Sequence, residues 1–137
     1  MTGPPRKTVC AMGTDIIGWV ECRRKLIDDE TWEAVINLDF VYLGRDYQAF
    51  GRLFGVRNTA KVQPIAAKRG LPADSSSHVK KEAAAPGFYA HSWITWQELQ
   101  TSEWEADQYW QPLMKVLEIL ASLYGEENVR LIVWFED

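Results

Sequence analysis

The sequence predicts a single α+β domain in which a small, mainly antiparallel sheet packs against one long helix. Three observations predict it. Residues 15–23 and 32–40 alternate along the chain as half-buried strands do. Residues 107–124 carry apolar side chains at helical spacing. The run Val129-Arg130-Leu131-Ile132-Val133-Trp134-Phe135 is apolar on both faces, which suits a strand in the middle of a sheet. At 137 residues the chain is long enough to bury a core without disulfide or metal staples.

Taken in order, residues 1–13 have no period and carry Pro4 and Pro5, so they read as an extended arm, leaving 14–137 as the folded domain. In Asp15–Arg23, Ile16, Gly18, Val20 and Cys22 share one face, while Ile17, Trp19, Glu21 and Arg23 share the other. In Trp32–Phe40 the inward set is Trp32, Ala34, Ile36, Leu38 and Phe40. The charged link between these runs suits a hairpin with a longer loop. Asp46 is an N-cap candidate, Tyr47, Phe50, Leu53 and Phe54 form the stripe of a short helix, and Gly55 supplies its stop.

Residues 56–86 form a long central stretch with an exposed helix expected near 75–85, where Lys80, Lys81, Glu82 and alanines favour one. A loop of this length is either a functional loop or a mobile insertion. Thr95-Trp96-Gln97-Glu98 is a capping box that opens a further helix. The long helix from Asp107 to Tyr124 carries Trp110, Leu113, Leu117, Leu120 and Tyr124, widened by Met114, Val116, Ile119, Ala121 and Leu123. So wide a stripe predicts deep burial against the sheet. Pro112 belongs in its first turn and Gly125 at its end. The N-terminal hairpin and the C-terminal strand then form the sheet, with short helices and the central stretch covering the rest.

Composition excludes several functions. The net charge of −4 lacks the basic footprint of non-specific nucleic-acid binding. Cys10 and Cys22 are too few for a secreted disulfide framework, no apolar run reaches membrane-spanning length, and the N-terminus does not read as a signal peptide. A cytoplasmic setting without membrane contact is therefore expected. Phosphate-binding glycine loops, dinucleotide fingerprints, zinc spacings and nucleophile elbows are missing from the sequence. With only His78 and His91 a His-rich metal site is not expected, a site combining His91 with carboxylates such as Glu21 or Asp39 rests on residue type alone, and no cofactor is expected.

Seven tryptophans stand out, and an indole N–H needs a partner when buried, so some should sit half-buried at a cleft or interface. Arg57-Asn58 follows the first helix, Arg69 precedes a Gly-Leu-Pro turn, and His91-Ser92-Trp93 precedes the capping box. Arginine forks suit carboxylate or phosphate, and aromatic faces stack on rings. Brought together, Arg57, Asn58, Arg69, His91, Ser92 and Trp93 would hold a small anionic ligand, with a nucleotide as the natural example. The bland alternative is that these side chains satisfy nearby backbone, or that Arg69 pairs with Asp74 at the surface.

A catalytic alternative makes His91 a general base acting on Ser92 or, with better geometry, on water, and oriented by an acid such as Glu21, Asp39 or Asp74. A third reading takes Trp19, Glu21 and Trp134, on the sheet face opposite Leu131 and Val133, as an interface for a second copy or a host partner. That face must be covered by the central stretch, by another protomer or by a ligand.

The segments Ile17-Gly18-Trp19-Val20-Glu21, Phe50 through Asn58, Arg69 through Asp74, His91 through Trp96 and Asn128 through Phe135 resemble a group of small actinobacterial and phage proteins with no established activity. The resemblance begins near Met12. It implies a bacterial or phage cytosolic setting, where a non-enzymatic binder would serve as a sponge or inhibitor in defence or anti-defence.

Overall fold

The computed structural model describes residues 13–25, 30–104 and 106–137. Of the expected arm only Gly13 falls among them, and it is buried; part of the charged hairpin link also lies outside the described residues. The architecture is the predicted α+β one, with four antiparallel strands and four α-helices among the described residues.

Strands β1 (Asp15–Arg23), β2 (Trp32–Asn37), β3 (Tyr89–Thr95) and β4 (Val129–Glu136) lie in the order β2-β1-β4-β3. β4 is interior, hydrogen-bonded to β1 on one side and β3 on the other, and every residue from Val129 to Phe135 is buried. Its two-sided apolar pattern is thus explained by helices covering both sheet faces.

One face is the main core. Ile16 and Val20 of β1, Ile94 of β3 and Leu131, Val133 and Phe135 of β4 pack against α1 (Tyr47–Phe54), α3 (Trp96–Thr101) and α4 (Gln111–Tyr124). The opposite face carries Ile17, Trp19, Ile132 and Trp134, and α2 (Ser77–Ala83) sets Val79 and Ala83 upon it, with Leu71, Phe88 and Trp93 alongside. The central stretch is therefore what covers this second face.

Local signals in the sequence hold at the helix ends. Asp46 Oδ1 accepts from Ala49 N at 3.2 Å, and Gly55 closes α1 in the left-handed region at φ 71°. Thr95 and Glu98 form the reciprocal capping box. Pro112 lies in the first turn of α4, which continues from a 3-10 turn at Gln108–Trp110.

Three expectations are corrected. β2 ends at Asn37, whose side chain caps a 3-10 turn (Leu38–Phe40), so Phe40 points into solvent. Within β2 the pairing with β1 skips Val35: Glu21 faces Ala34 but Val20 faces Ile36. That bulge reverses the alternation, placing Ala34 on the α2 face and Ile36 against the main core. The wide stripe of α4 is not all inward either. Leu113, Leu117 and Ala121 are buried, whereas Ile119 and Leu123 are more than half exposed.

β3 is a strand that no periodic signal marked. Its outer edge is covered by residues 66–70 crossing beside it. Gly70 N donates to the His91 carbonyl at 2.9 Å, Arg69 N donates to Ser92 Oγ at 3.1 Å, and Ser92 Oγ donates to the Ala66 carbonyl. An edge occupied in this way offers no free ladder to another chain.

Candidate functional site

The six residues expected to share a pocket divide among three places. Arg57 and Asn58 lie at one end of the sheet, where β1 and β3 begin and β4 finishes. Arg57 adopts a left-handed conformation at φ 54° just after the αL cap of α1. Its Nε donates to Thr14 Oγ1 at 2.8 Å, and its guanidinium stacks over the Tyr47 ring at 4.9 Å. Thr14 is fully buried; its N–H donates to Tyr47 Oη at 3.0 Å and its hydroxyl to Asp137 Oδ1 at 2.8 Å. Tyr89 Oη donates to the same carboxylate oxygen at 2.7 Å.

These donors hold the Asp137 carboxyl below its ordinary range, Tyr89 contributing most and Thr14 next. Burial, with the bond to Asp137, pushes the Tyr89 phenol upward. Beside this network, Asp15 at the start of β1 is held by Arg45 through bonds of 2.8 and 3.1 Å.

A hollow of about 320 Å³ opens next to the network. Tyr47, Gln48, Gly51 and Arg52 of α1 form one wall, and Arg57, Asn58, Thr59, Ala60 and Val62 of the following loop form the other. Asn58 fixes the loop wall: its Nδ2 donates to the Val62 carbonyl at 2.7 Å and its Oδ1 accepts from Val62 N at 3.1 Å. Gly51 lets that wall approach, since a Cβ there would lie 3.1 Å from Asn58 Cα. Arg52 bridges the Glu103 and Gln63 carbonyls. The lining contains two guanidiniums and no carboxylate, so its field favours an anion.

Arg69, Ser92 and Trp93 form the second group. Arg69 makes a two-pronged pair with Glu98 at 2.8 and 2.6 Å, rather than reaching Asp74, and its guanidinium covers the Trp93 ring at 4.7 Å. It also donates to the Trp93 and Ile65 carbonyls. The hydrogen bond to Glu98 raises the Arg69 pKa and correspondingly draws the Glu98 carboxyl down. Ser92 is buried beneath the crossing segment. This group clamps the central stretch onto β3 and α3.

His91 lies on the opposite side of β3 from Ser92. Its Nε2 is 2.9 Å from the Ala83 carbonyl, and its ring stacks on Trp134. Glu21 and Asp74, its expected acidic partners, belong instead to Arg130. Glu21 Oε1 accepts from Arg130 Nε at 2.9 Å, and Glu21 Oε2 accepts from Ser76 N at 2.8 Å. Asp74 takes Arg130 Nη1 at 3.1 Å and Trp32 Nε1 at 3.1 Å. Burial pushes the Asp74 carboxyl up, but its bonds to Arg130 and Trp32 and the Arg130 charge outweigh this and leave it below the usual range. Of the expected interface, Glu21 and Trp134 are fully buried and Trp19 is half-buried, its Nε1 donating to Glu82 at 3.1 Å.

Thr14, Tyr47, Glu98 and Arg130 are not among the candidate site residues of the sequence, although its pattern places Tyr47 and Glu98 in their helices. Arg130 did carry a signal, as the single charge within the otherwise apolar run at residues 129–135, set directly opposite Glu21. Among the described residues no group of three or more His, Cys, Asp or Glu side chains is placed to hold a metal ion. No described helix is long and apolar enough to cross a membrane. Comparison with protein-family models, with curated proteins and with solved structures gives no match.

Proposed function

We propose that this protein is a non-enzymatic binder of a small anion, held in the hollow between α1 and the loop at residues 57–62. The observation that carries the proposal is the lining itself, in which Arg52, Arg57, Asn58 and Tyr47 converge with no acidic side chain. At about 320 Å³ the hollow is at the small end of ligand sites, which suits a mononucleotide or a simpler phosphate better than a dinucleotide. In a bacterial or phage setting, sequestering such an anion is the use we propose. Arg69, His91, Ser92 and Trp93 are left out of this site because none of them lines the hollow. The hydrolase alternative draws no support from His91, whose ring faces the Ala83 carbonyl while Glu21 and Asp74 bond Arg130.

Thermal melting with adenosine monophosphate, cyclic adenosine monophosphate and inorganic phosphate tests the reading. A ligand at a hundred times its Kd stabilises the fold by about 2.7 kcal/mol, which raises Tm by several degrees. Arg57→Asn removes the guanidinium while keeping a residue that tolerates the left-handed backbone, and should abolish the rise. Flat curves for the unaltered protein with all three probes at millimolar concentration would sink the proposal.

A further inference from the structure

We infer that Thr14 and Asp137, which lie outside the hollow, are positioning residues that hold Tyr47 and Arg57 ready for the anion; the inference rests on the binding reading above. Thr14 touches both. Its backbone N–H donates to Tyr47 Oη at 3.0 Å, and its hydroxyl oxygen accepts from Arg57 Nε at 2.8 Å. A hydroxyl has one hydrogen to give. Here it goes to Asp137 Oδ1 at 2.8 Å, which turns the oxygen lone pairs toward the guanidinium.

The carboxylate thereby fixes the direction of the two bonds made by the Thr14 hydroxyl. Tyr89 Oη, donating to the same oxygen at 2.7 Å, anchors it to the start of β3. A relay thus runs from Tyr89 through Asp137 and Thr14 to Arg57, tying the hollow to the start of β3 and to the residues that flank β4 and β1. A free arginine loses much rotamer freedom when it closes on a ligand. One already stacked on Tyr47 and bonded through Nε has less of that freedom left to lose, which is the general route by which preorganisation raises affinity.

Titration calorimetry with adenosine monophosphate and, separately, inorganic phosphate tests the relay in four proteins: the unaltered chain, Thr14→Val, Thr14→Ser and Asp137→Ala. Thr14→Val keeps the shape and deletes the hydroxyl; Thr14→Ser restores it. Asp137 is exposed, so Asp137→Ala probes the relay without disturbing the core. The expected result is affinity about five- to tenfold weaker in Thr14→Val and Asp137→Ala, the scale of one ordinary net hydrogen bond, with Thr14→Ser within about twofold of the unaltered chain. Unchanged affinity in Asp137→Ala, or equal loss in Thr14→Ser and Thr14→Val, would overturn the relay while leaving the binding site standing. No binding of either probe by the unaltered chain would overturn both.

Discussion

Replacing Arg130 by Met tests whether the covered face is organised around charge. Arg130 is 6% exposed at its side chain and sits between Glu21, which is 0% exposed, and Asp74, with its guanidinium 3.7 Å from the centre of the Trp32 ring. In Arg130→Met the Glu21 carboxylate stays buried, with Ser76 N–H still donating to it. Removing one member of a buried pair costs about 3–5 kcal/mol, mostly because the surviving charge is left without compensation. Unfolding entropy is about 2.1 cal/mol/K per residue near 60 °C. For 137 residues that gives about 0.29 kcal/mol/K, so Tm should fall by about 10–17 °C.

The double change Glu21→Leu with Arg130→Met removes both charges and should recover most of the loss, since apolar replacement of a whole buried pair is often neutral. Urea unfolding followed by tryptophan fluorescence, alongside thermal circular dichroism, measures Arg130→Met, Glu21→Leu and the double variant. A loss under about 1 kcal/mol in Arg130→Met, or a double variant as unstable as the two single changes summed, would refute the reasoning.

Two further predictions concern titration. Glu98 is held below its ordinary pKa, chiefly by the Arg69 hydrogen bonds, so the folded form favours its ionised state. That contribution is fully present above the unfolded value of about 4.3 and is lost as pH falls through the lower folded value. Glu98→Gln, which keeps an acceptor for the capping box, should therefore melt lower at pH 7 and show a shallower fall of Tm below about pH 4.5; an unchanged acid limb in a Tm-against-pH series would count against the pair. Burial pushes the Cys22 thiol up to about 12, with Glu21 and Glu33 adding to the rise. In a Cys10→Ser background the native protein should then give almost no reaction with a disulfide reagent at pH 8 and full reaction in denaturant, whereas rapid native labelling would contradict the buried thiol.

The parts of the fold that were legible in the sequence are those written in local chemistry. The Asp46 cap, Gly55 stop and Thr95–Glu98 box each depend on backbone groups within a few residues, and all three formed. β4 was legible because both of its faces are apolar. β3 was not, because Ser92 takes an inward position and is satisfied by Ala66 and Arg69, partners more than twenty residues away. The reversal of β2 at Val35 was equally hidden, since a bulge leaves no periodic trace.

The candidate site was only partly readable for the same reason. Arg57 and Asn58 stand together because they are adjacent in sequence, but their relation to Thr14 and Asp137 comes from strands meeting at one end of the sheet. Arg69, His91 and Trp93 are close to one another along β3 and its crossing segment, yet alternation sends His91 and Ser92 to opposite sides.

The place of β4 between β1 and β3 also has a consequence for how the chain is made. β1 gains its principal neighbour only when residues 129–136 emerge, more than a hundred residues after β1 itself. At about 5–20 residues per second, that leaves β1 waiting roughly 5–20 s on the ribosome with one edge open and both faces uncovered. During this interval Ile16, Ile17, Trp19 and Val20 are exposed to every other nascent chain nearby. Closing so long a loop is slow as well as late, so the nascent hairpin is where a chaperone has most to shield.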